Sequence, residues 1–307
     1  MRVYSSFEAA AEIRNAVVTT GTFDGVHIGH KTILNRLNKL AREVDGESVL
    51  ITFHPHPRLV LYPESAGKDL KLINSQEEKI ELLRKAGLGN LIVIEFTREF
   101  SQTTSEEFIA RYLHGNLRAK VVVVGHNHHF GFNQKGDYRQ LWDMRGKYGF
   151  EAEEIPMQEV QNEIVSSTKI REAITEGYIQ RANAYLDHYY IIIGVAASSE
   201  DDLYGSGIPV TNIGLTEVTK LTPASGIYAV TVAGDAFYSR AMVIVDNGKD
   251  LANRVKVHLF EYDKTIPAKK LTLFFHKKIR TIGEITAPAN PASGIRAALA
   301  EIYELIF

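Results

Sequence analysis

The chain has 307 residues, 45% of them hydrophobic and 23% charged, with a net charge of −2 and no cysteine. That length suits two domains or one large one, the composition is that of a soluble globular protein, and the near-neutral charge argues against a broad nucleic-acid surface. No apolar run reaches the ~18–20 residues of a membrane span, disulfides and thiolate catalysis are excluded, and a start lacking a signal-peptide apolar region fits a cytoplasmic protein with no membrane partner.

In chain order, the first strand-like run is Ala16–Thr20, broken at Gly21. Gly25 follows, then His27-Ile28-Gly29-His30, then a helical pattern from Lys31 in which Ile33, Leu34, Leu37, Leu40 and Ala41 share a stripe. Strand, glycine turn and helix start, with two histidines three apart at the mouth, make a place for phosphate: the free N–H groups and dipole of a helix N-terminus favour an anion. Imidazoles beside them can donate to phosphate oxygens as charge shifts in phosphoryl transfer. The spacing points to nucleotide chemistry at an α- or γ-phosphate.

Ser48–Phe53, Leu91–Phe96 and Lys120–Gly125 read as further strands. Between them lie helical stripes of Ile80, Leu82, Leu83 and Ala86, and of Phe108, Ile109, Tyr112 and Leu113. Short apolar strands alternating with helices predict an α/β Rossmann-like domain, a parallel sheet with helices on both faces. Ligands bind such sheets beyond the carboxyl ends of the strands. The segments after Thr20, Phe53 and Val124 all occupy that edge.

Thr52-Phe53-His54-Pro55-His56-Pro57 is a Pro-bounded loop with two histidines and no clear third metal ligand, a poor zinc site. Gly125-His126-Asn127-His128-His129-Phe130-Gly131 brackets a polar cluster with glycines, and Asn127 can both donate and accept. Ser166-Ser167-Thr168-Lys169-Ile170-Arg171 opens another helix, ended by Gly177; Ser166 or Ser167 suits the cap, and the hydroxyls with Lys169 and Arg171 suit phosphate.

The texture changes near Tyr185. Tyr190–Ala196, Ile227–Val232, Ala241–Val245, Arg254–Tyr262 and Lys270–Phe275 read as strands separated by turns, with alternation in 228–232 and 255–259. They predict an antiparallel barrel or sandwich, closed by a final helix with Ile295, Leu299, Ile302 and Ile306 in register. The expected domains are 1–185 and 186–307.

The string from Gly21 to His30 resembles the signature of the HxGH nucleotidyltransferases in the form carried by bacterial FAD synthetases, which join an FMN adenylyltransferase to a riboflavin kinase. The resemblance covers nearly all of residues 15–186. It extends to Phe53-His54-Pro55-His56-Pro57, to Asn127, Phe130 and Gly131 with Gly136-Asp137, to Ser166-Ser167-Thr168-Lys169-Ile170-Arg171, and to the start of the next helix at Gly177. It implies adenylyl transfer from ATP to FMN with Mg2+, giving FAD and pyrophosphate. His27 and His30 would stabilise the transition state, and Ser167, Thr168 and Arg171 would hold the departing phosphates. Gly21, Phe23, Asp24, Gly29, Gly125, Asn127 and Gly131 would form the nucleotide site. Phe53, His56, Pro57 and Phe130 would face the flavin.

The resemblance continues more weakly into the kinase module through Gly207–Ile213, Gly226–Val230, Val257–Phe260 and Ile279-Arg280. Asn212 is kept. Val210 stands where the family has a threonine on Mg2+ and phosphate, Lys256 where it has the carboxylate base, and residues 195–202 where it has a glycine-rich nucleotide loop. An ammonium serves as a base only after a large pKa depression. The reading is an FMN adenylyltransferase with a degenerate kinase site. One alternative is a bifunctional enzyme that also phosphorylates riboflavin, with Glu261 or Asp263 as substitute base; others are a non-catalytic flavin or nucleotide-binding regulator, and adenylyl transfer to a pantetheine or nicotinamide nucleotide.

Overall fold

Six strands form the sheet of the N-terminal half: β1 (Arg2–Tyr4), β2 (Val17–Thr20), β3 (Ser48–His54), β4 (Asn90–Glu95), β5 (Val121–Gly125) and β6 (Glu151–Ile155). All are parallel, in the order β1-β4-β3-β2-β5-β6. The computed structural model describes residues 1–160, 163–235, 237–249, 254–260, 269–286 and 291–305. The four expected strands are present within a residue or two at each end. β1 and β6 are additional, both at sheet edges. Every residue of β2 and the first five of β3 are buried, as the β-branched runs of a sheet covered on both faces require.

The helix after β2, α1 (Ile28–Glu43), begins three residues before Lys31, where the helical pattern starts. His27 is therefore its N-cap and His30 lies in its first turn. Arg36 on α1 makes a bidentate pair with Glu153 on β6, both bonds at 2.6 Å. The stripe from Phe108 to Leu113 is wound as a π-helix over Phe108–Asn116. Its aromatic side chains join a core that also holds Phe7, Ile51, Ile92, Val122 and Phe130.

Grouped by contacts, the chain forms two compact units: Met1–Leu70 with Lys79–Val165, and Lys71–Glu78 with Ser166–Phe307. This division falls before the change of texture at Tyr185. The helices Ser167–Glu176 and Ile179–Leu186 group with the C-terminal strands because the second helix packs on two of them. Asn183 donates to the Phe275 carbonyl at 2.8 Å and accepts from the Tyr190 N–H at 2.7 Å.

The second unit is a closed antiparallel barrel. Round it run Pro209–Gly214, Val255–Leu259, Tyr238–Val245, Gly226–Ala233, Lys270–Thr281 and Tyr190–Asp202. The barrel rather than the sandwich is realised. Residues 197–202, beyond the expected strand Tyr190–Ala196, continue that strand and pair with Pro209–Gly214. Their polar composition masks an extended ladder whose register shifts between Thr211 and Ile213. The final helix, Pro291–Leu305, lays Ile295, Ala298 and Ile302 into the core, with Leu299 against it. Ile306 lies outside the described residues, as do Glu261, Tyr262 and Asp263.

Candidate active site

β2 and β5 are neighbours in the sheet, but the chain leaves β2 toward β3 on one side and returns to β5 on the other. Their carboxyl ends flank a switch of strand order, where open parallel sheets form their ligand crevice. The loops after β2 and β5 carry Gly21–His30 and His126–Gly131.

The first loop is tightly constrained. Gly21 N–H donates to the Ile51 carbonyl at 3.0 Å. Phe23, Gly25 and Val26 have φ of 48°, 94° and 42°. A β-branched valine in that region is a strained residue held by its surroundings, the kind of position that clusters at functional sites. Phe23, Asp24, Val26 and His27 are all buried. The His27 backbone turns from extended into helix, so the first N–H groups of α1 open at the crevice.

The His27 and His30 rings stack, centroids 3.7 Å apart and planes 20° apart. Phe23 stacks on the other side of His30 at 4.4 Å. A Cβ on Gly29 would sit 3.2 Å from the His27 ring, so a bare residue there lets the imidazole fold back over the helix start. Burial pushes the His30 pKa well below its ordinary value, and the charges of His27 and Lys79 add to the effect. His30 is a neutral imidazole at physiological pH, and its buried Nδ1 has no hydrogen-bond partner among the described residues. Two stacked imidazoles would repel if both were protonated.

After β3, Phe53 packs with Phe96 and Phe100 at 5.6 and 5.9 Å between centroids. His56 is an N-cap: its Nδ1 accepts from the Arg58 N–H at 3.2 Å, and Pro57 is the first residue of the short helix Pro57–Leu61. After β5, Asn127 is exposed with φ 57°. Phe130 joins the aromatic core beside Phe108 and exchanges backbone hydrogen bonds with Gly136 at 3.0 and 2.9 Å. Gly131, at φ 73°, lies against Ser105; a Cβ there would be 2.5 Å from the Ser105 nitrogen. A Cβ on Gly125 would meet Ile33 of α1 at 3.1 Å. His128 stacks near Phe130, and burial lowers its pKa to about 4.

The sequence reading missed Lys79, on the helix Gln76–Lys85. It is 9% exposed, and its Nζ donates to the Thr22 carbonyl and the Thr52 hydroxyl, both at 3.3 Å. Its helix has an ordinary amphipathic stripe, so the only available signal was a lysine three residues before Leu82 on the apolar face.

In the second unit, Ser166 rather than Ser167 is the cap; its Oγ accepts from the Lys169 N–H at 3.3 Å. Ser167 and Thr168 are therefore the first two helical residues, with Arg171 a turn later. In the barrel, Val210 is 2% exposed and lies in the apolar core with Ile227, Met242 and Ile279. Asn212 pairs with Lys256 across adjacent strands, and Thr211 falls on the opposite face from Val210. The first unit holds His27, His30 and the assigned nucleotide and flavin residues; the second holds Ser167, Thr168, Arg171, Val210, Asn212 and Lys256.

Among the described residues no three acidic or imidazole side chains converge to hold a metal ion. Mg2+ is commonly held largely by substrate phosphates, with one or two protein ligands. No described helix is long and apolar enough to cross a membrane.

A parallel sheet with a helix N-terminus and paired imidazoles at its switch point defines a nucleotide-binding α/β domain, here followed by an antiparallel barrel. The family model for FAD synthetase matches residues 9–169, and that for riboflavin kinase matches 189–287. The chain belongs to the FAD synthetase family and carries both its domains. A bifunctional riboflavin kinase/FMN adenylyltransferase of Listeria monocytogenes is 28% identical over 94% of this chain and 89% of its own length. A protein of the same organism named FAD synthetase is 35% identical over 67% of this chain and 85% of its own. A solved Streptococcus pneumoniae chain named a macrolide-efflux protein superposes with a TM-score of 0.83 at 25% identity, covering 98% of both chains.

Proposed function

We propose that this protein transfers the adenylyl group of ATP to FMN. A phosphate oxygen of FMN attacks the ATP α-phosphorus, the bond to the β-phosphate oxygen breaks, and FAD and pyrophosphate leave. No covalent enzyme intermediate is needed, because positioning and electrostatics suffice. The observation that carries this reading is the stacked His27/His30 pair at the N-terminus of α1. Hydrogen bonds from these imidazoles and the helix N–H groups would strengthen as negative charge gathers on the α-phosphate.

Gly21, Phe23, Asp24, Gly29, Gly125, Asn127 and Gly131 are assigned to the nucleotide, and Phe53, His56, Pro57 and Phe130 to the flavin. Ser167, Thr168 and Arg171 are assigned to the departing β- and γ-phosphates. Mg2+ would enter with ATP, neutralising phosphate charge. Adenylyl transfer is assigned to residues 1–185 and flavin-kinase-like architecture to 186–307. The test is to supply purified protein with MgATP and either FMN or riboflavin and separate the flavins by chromatography. FAD is expected from FMN.

We further propose that the kinase site is degenerate. Lys256 supports this, standing where a carboxylate base is needed, and so does Val210, whose apolar side chain is committed to the barrel core. The higher identity to the relative named for the synthetase alone points the same way. The bifunctional reading is favoured by the riboflavin kinase match across 189–287 and by relatives named for both activities. FMN formation from riboflavin separates the two.

A further inference from the structure

We propose that Lys79 is a positioning residue of the adenylyl-transfer site, pinning the strained turn after β2 to the end of β3 and supplying a fixed positive charge beside His30. The proposal rests on the adenylyltransferase reading. Its physical basis is a triangle of polar atoms. The Thr22 carbonyl accepts from the Thr52 hydroxyl and from Lys79 Nζ, and Lys79 also donates to Thr52, all three contacts at 3.3 Å. Both lone pairs of the Thr22 oxygen are thereby used. Thr22 immediately precedes the segment in which Phe23, Gly25 and Val26 adopt positive φ. Such a turn persists only where its surroundings over-determine it. Lys79 and Thr52 hold its first peptide, and the Gly21 N–H bond to Ile51 holds the residue before.

Placing a lysine on the buried face of the helix Gln76–Lys85, among Leu82 and Leu83, costs desolvation that a leucine would not. Packing alone would be served as well by an apolar residue, which would however leave out the hydrogen bonds to Thr22 and Thr52. What an apolar residue could not supply is charge at the carboxyl edge of the sheet, where polyphosphate is expected. The charged groups acting on His30 are His27, at the N-cap of the same helix, and Lys79, from the neighbouring helix. Burial lowers the His30 pKa most, and the charges of His27 and Lys79 lower it further. The stacked pair then avoids two positive charges in contact, and His30 keeps one ring N–H to donate.

The test compares wild type with Lys79→Met, Lys79→Arg and Thr52→Val. The imidazole resonances of the ligand-free protein are titrated by NMR, and kcat and the KM for ATP are measured with FMN as acceptor across pH 5–9. In wild type His30 is expected to titrate well below 6.5. In Lys79→Met its titration and the acid limb of kcat should both move upward, and kcat at pH 7.5 should fall about 10²-fold, the scale of a misplaced reacting group, with a smaller change in KM. Lys79→Arg should leave the His30 titration low. Thr52→Val should lower kcat without moving that titration.

An unmoved His30 titration in Lys79→Met, or a kcat within threefold of wild type, overturns the proposal. Should Lys79→Met not fold, Lys79→Gln, which keeps a donor and removes the charge, is read in its place: an unmoved His30 titration there overturns the proposal. Because the titration is read without ligand, a shifted His30 in a protein that makes no FAD would fault the assigned reaction instead.

Discussion

His27 and His30 lie face to face, 3.7 Å between ring centroids, at the first turn of α1. Burial lowers the His30 pKa well below its ordinary value, and in the proposed reaction the pair would act through hydrogen bonds directed at charge that develops late. His27→Ala and His30→Ala are therefore expected to lower kcat by about 10²–10³ while the ATP dissociation constant changes little. Measuring both constants for each variant checks this. Collapsed affinity with unchanged kcat would make the histidines ground-state binders.

Riboflavin is expected to be a poor substrate or none, since loss of a general base alone costs about 10²–10⁴ in rate. The comparison is FMN formation by wild type and by the double variant Lys256→Glu, Val210→Thr. Val210 is buried among apolar neighbours, so Val210→Thr should also lower the melting temperature by placing a hydroxyl in the core. Robust FMN production by wild type restores the bifunctional reading.

Gly131→Ala should destabilise the loop after β5. Its φ of 73° disfavours a side chain, and the new methyl would press on the Ser105 backbone at 2.5 Å. A loss of about 1–3 kcal/mol in denaturant unfolding is expected. A variant as stable as wild type would show that Ser105 yields freely.

Lys220 and Glu78 form a buried ion pair within the second unit, 2.7 Å apart and 2% and 0% exposed. Glu78 also accepts from the backbone N–H groups of Ile193 and Ser75, and Lys220 donates to the carbonyls of Ile73 and Ile191. Lys220→Met leaves a carboxylate buried without its cation and should cost about 3–5 kcal/mol. Thermal unfolding measures it, and a loss under about 1 kcal/mol, the scale of an exposed pair, would contradict the buried pairing.

His128 is expected to contribute to the pH dependence of stability. Its folded pKa of about 4 lies below its ordinary 6.5, so the unfolded chain binds the proton more readily. Stability should therefore fall as pH drops from about 6.5 to about 4, and His128→Phe should flatten that fall. His30 is shifted in the same direction, so the slope should decrease rather than vanish. Urea midpoints at pH 5 and 7 test this; equal slopes in both proteins would remove His128 from the account.

The legible parts of the fold are those in which local pattern and tertiary environment agree. Val17–Thr20, Gly21 and the stripe Ile33–Ala41 announce strand, turn and helix, and burial of both faces of β2 makes the β-branched run unambiguous. β6 was hidden because Glu151-Ala152-Glu153-Glu154-Ile155 is a polar edge strand whose pairing with β5 and contact with Arg36 are long-range. Residues 198–202 were hidden because serine and acidic residues read as a loop, while the ladder to Pro209–Gly214 holds them extended. The histidine signature was readable as a candidate site; Lys79 and Thr52 were not, because their meeting at the Thr22 carbonyl joins residues 30 and 57 apart in the chain.

The most direct measurement traces the label of ATP. Purified protein is given Mg2+, FMN and ATP labelled at the α-phosphorus or, separately, at the γ-phosphorus, and the flavin and pyrophosphate fractions are counted. Adenylyl transfer at the His27/His30 site requires α-label in FAD and γ-label in pyrophosphate, in equal amounts. γ-label in a flavin with none from the α-position, or no labelled flavin from a folded protein, would contradict it.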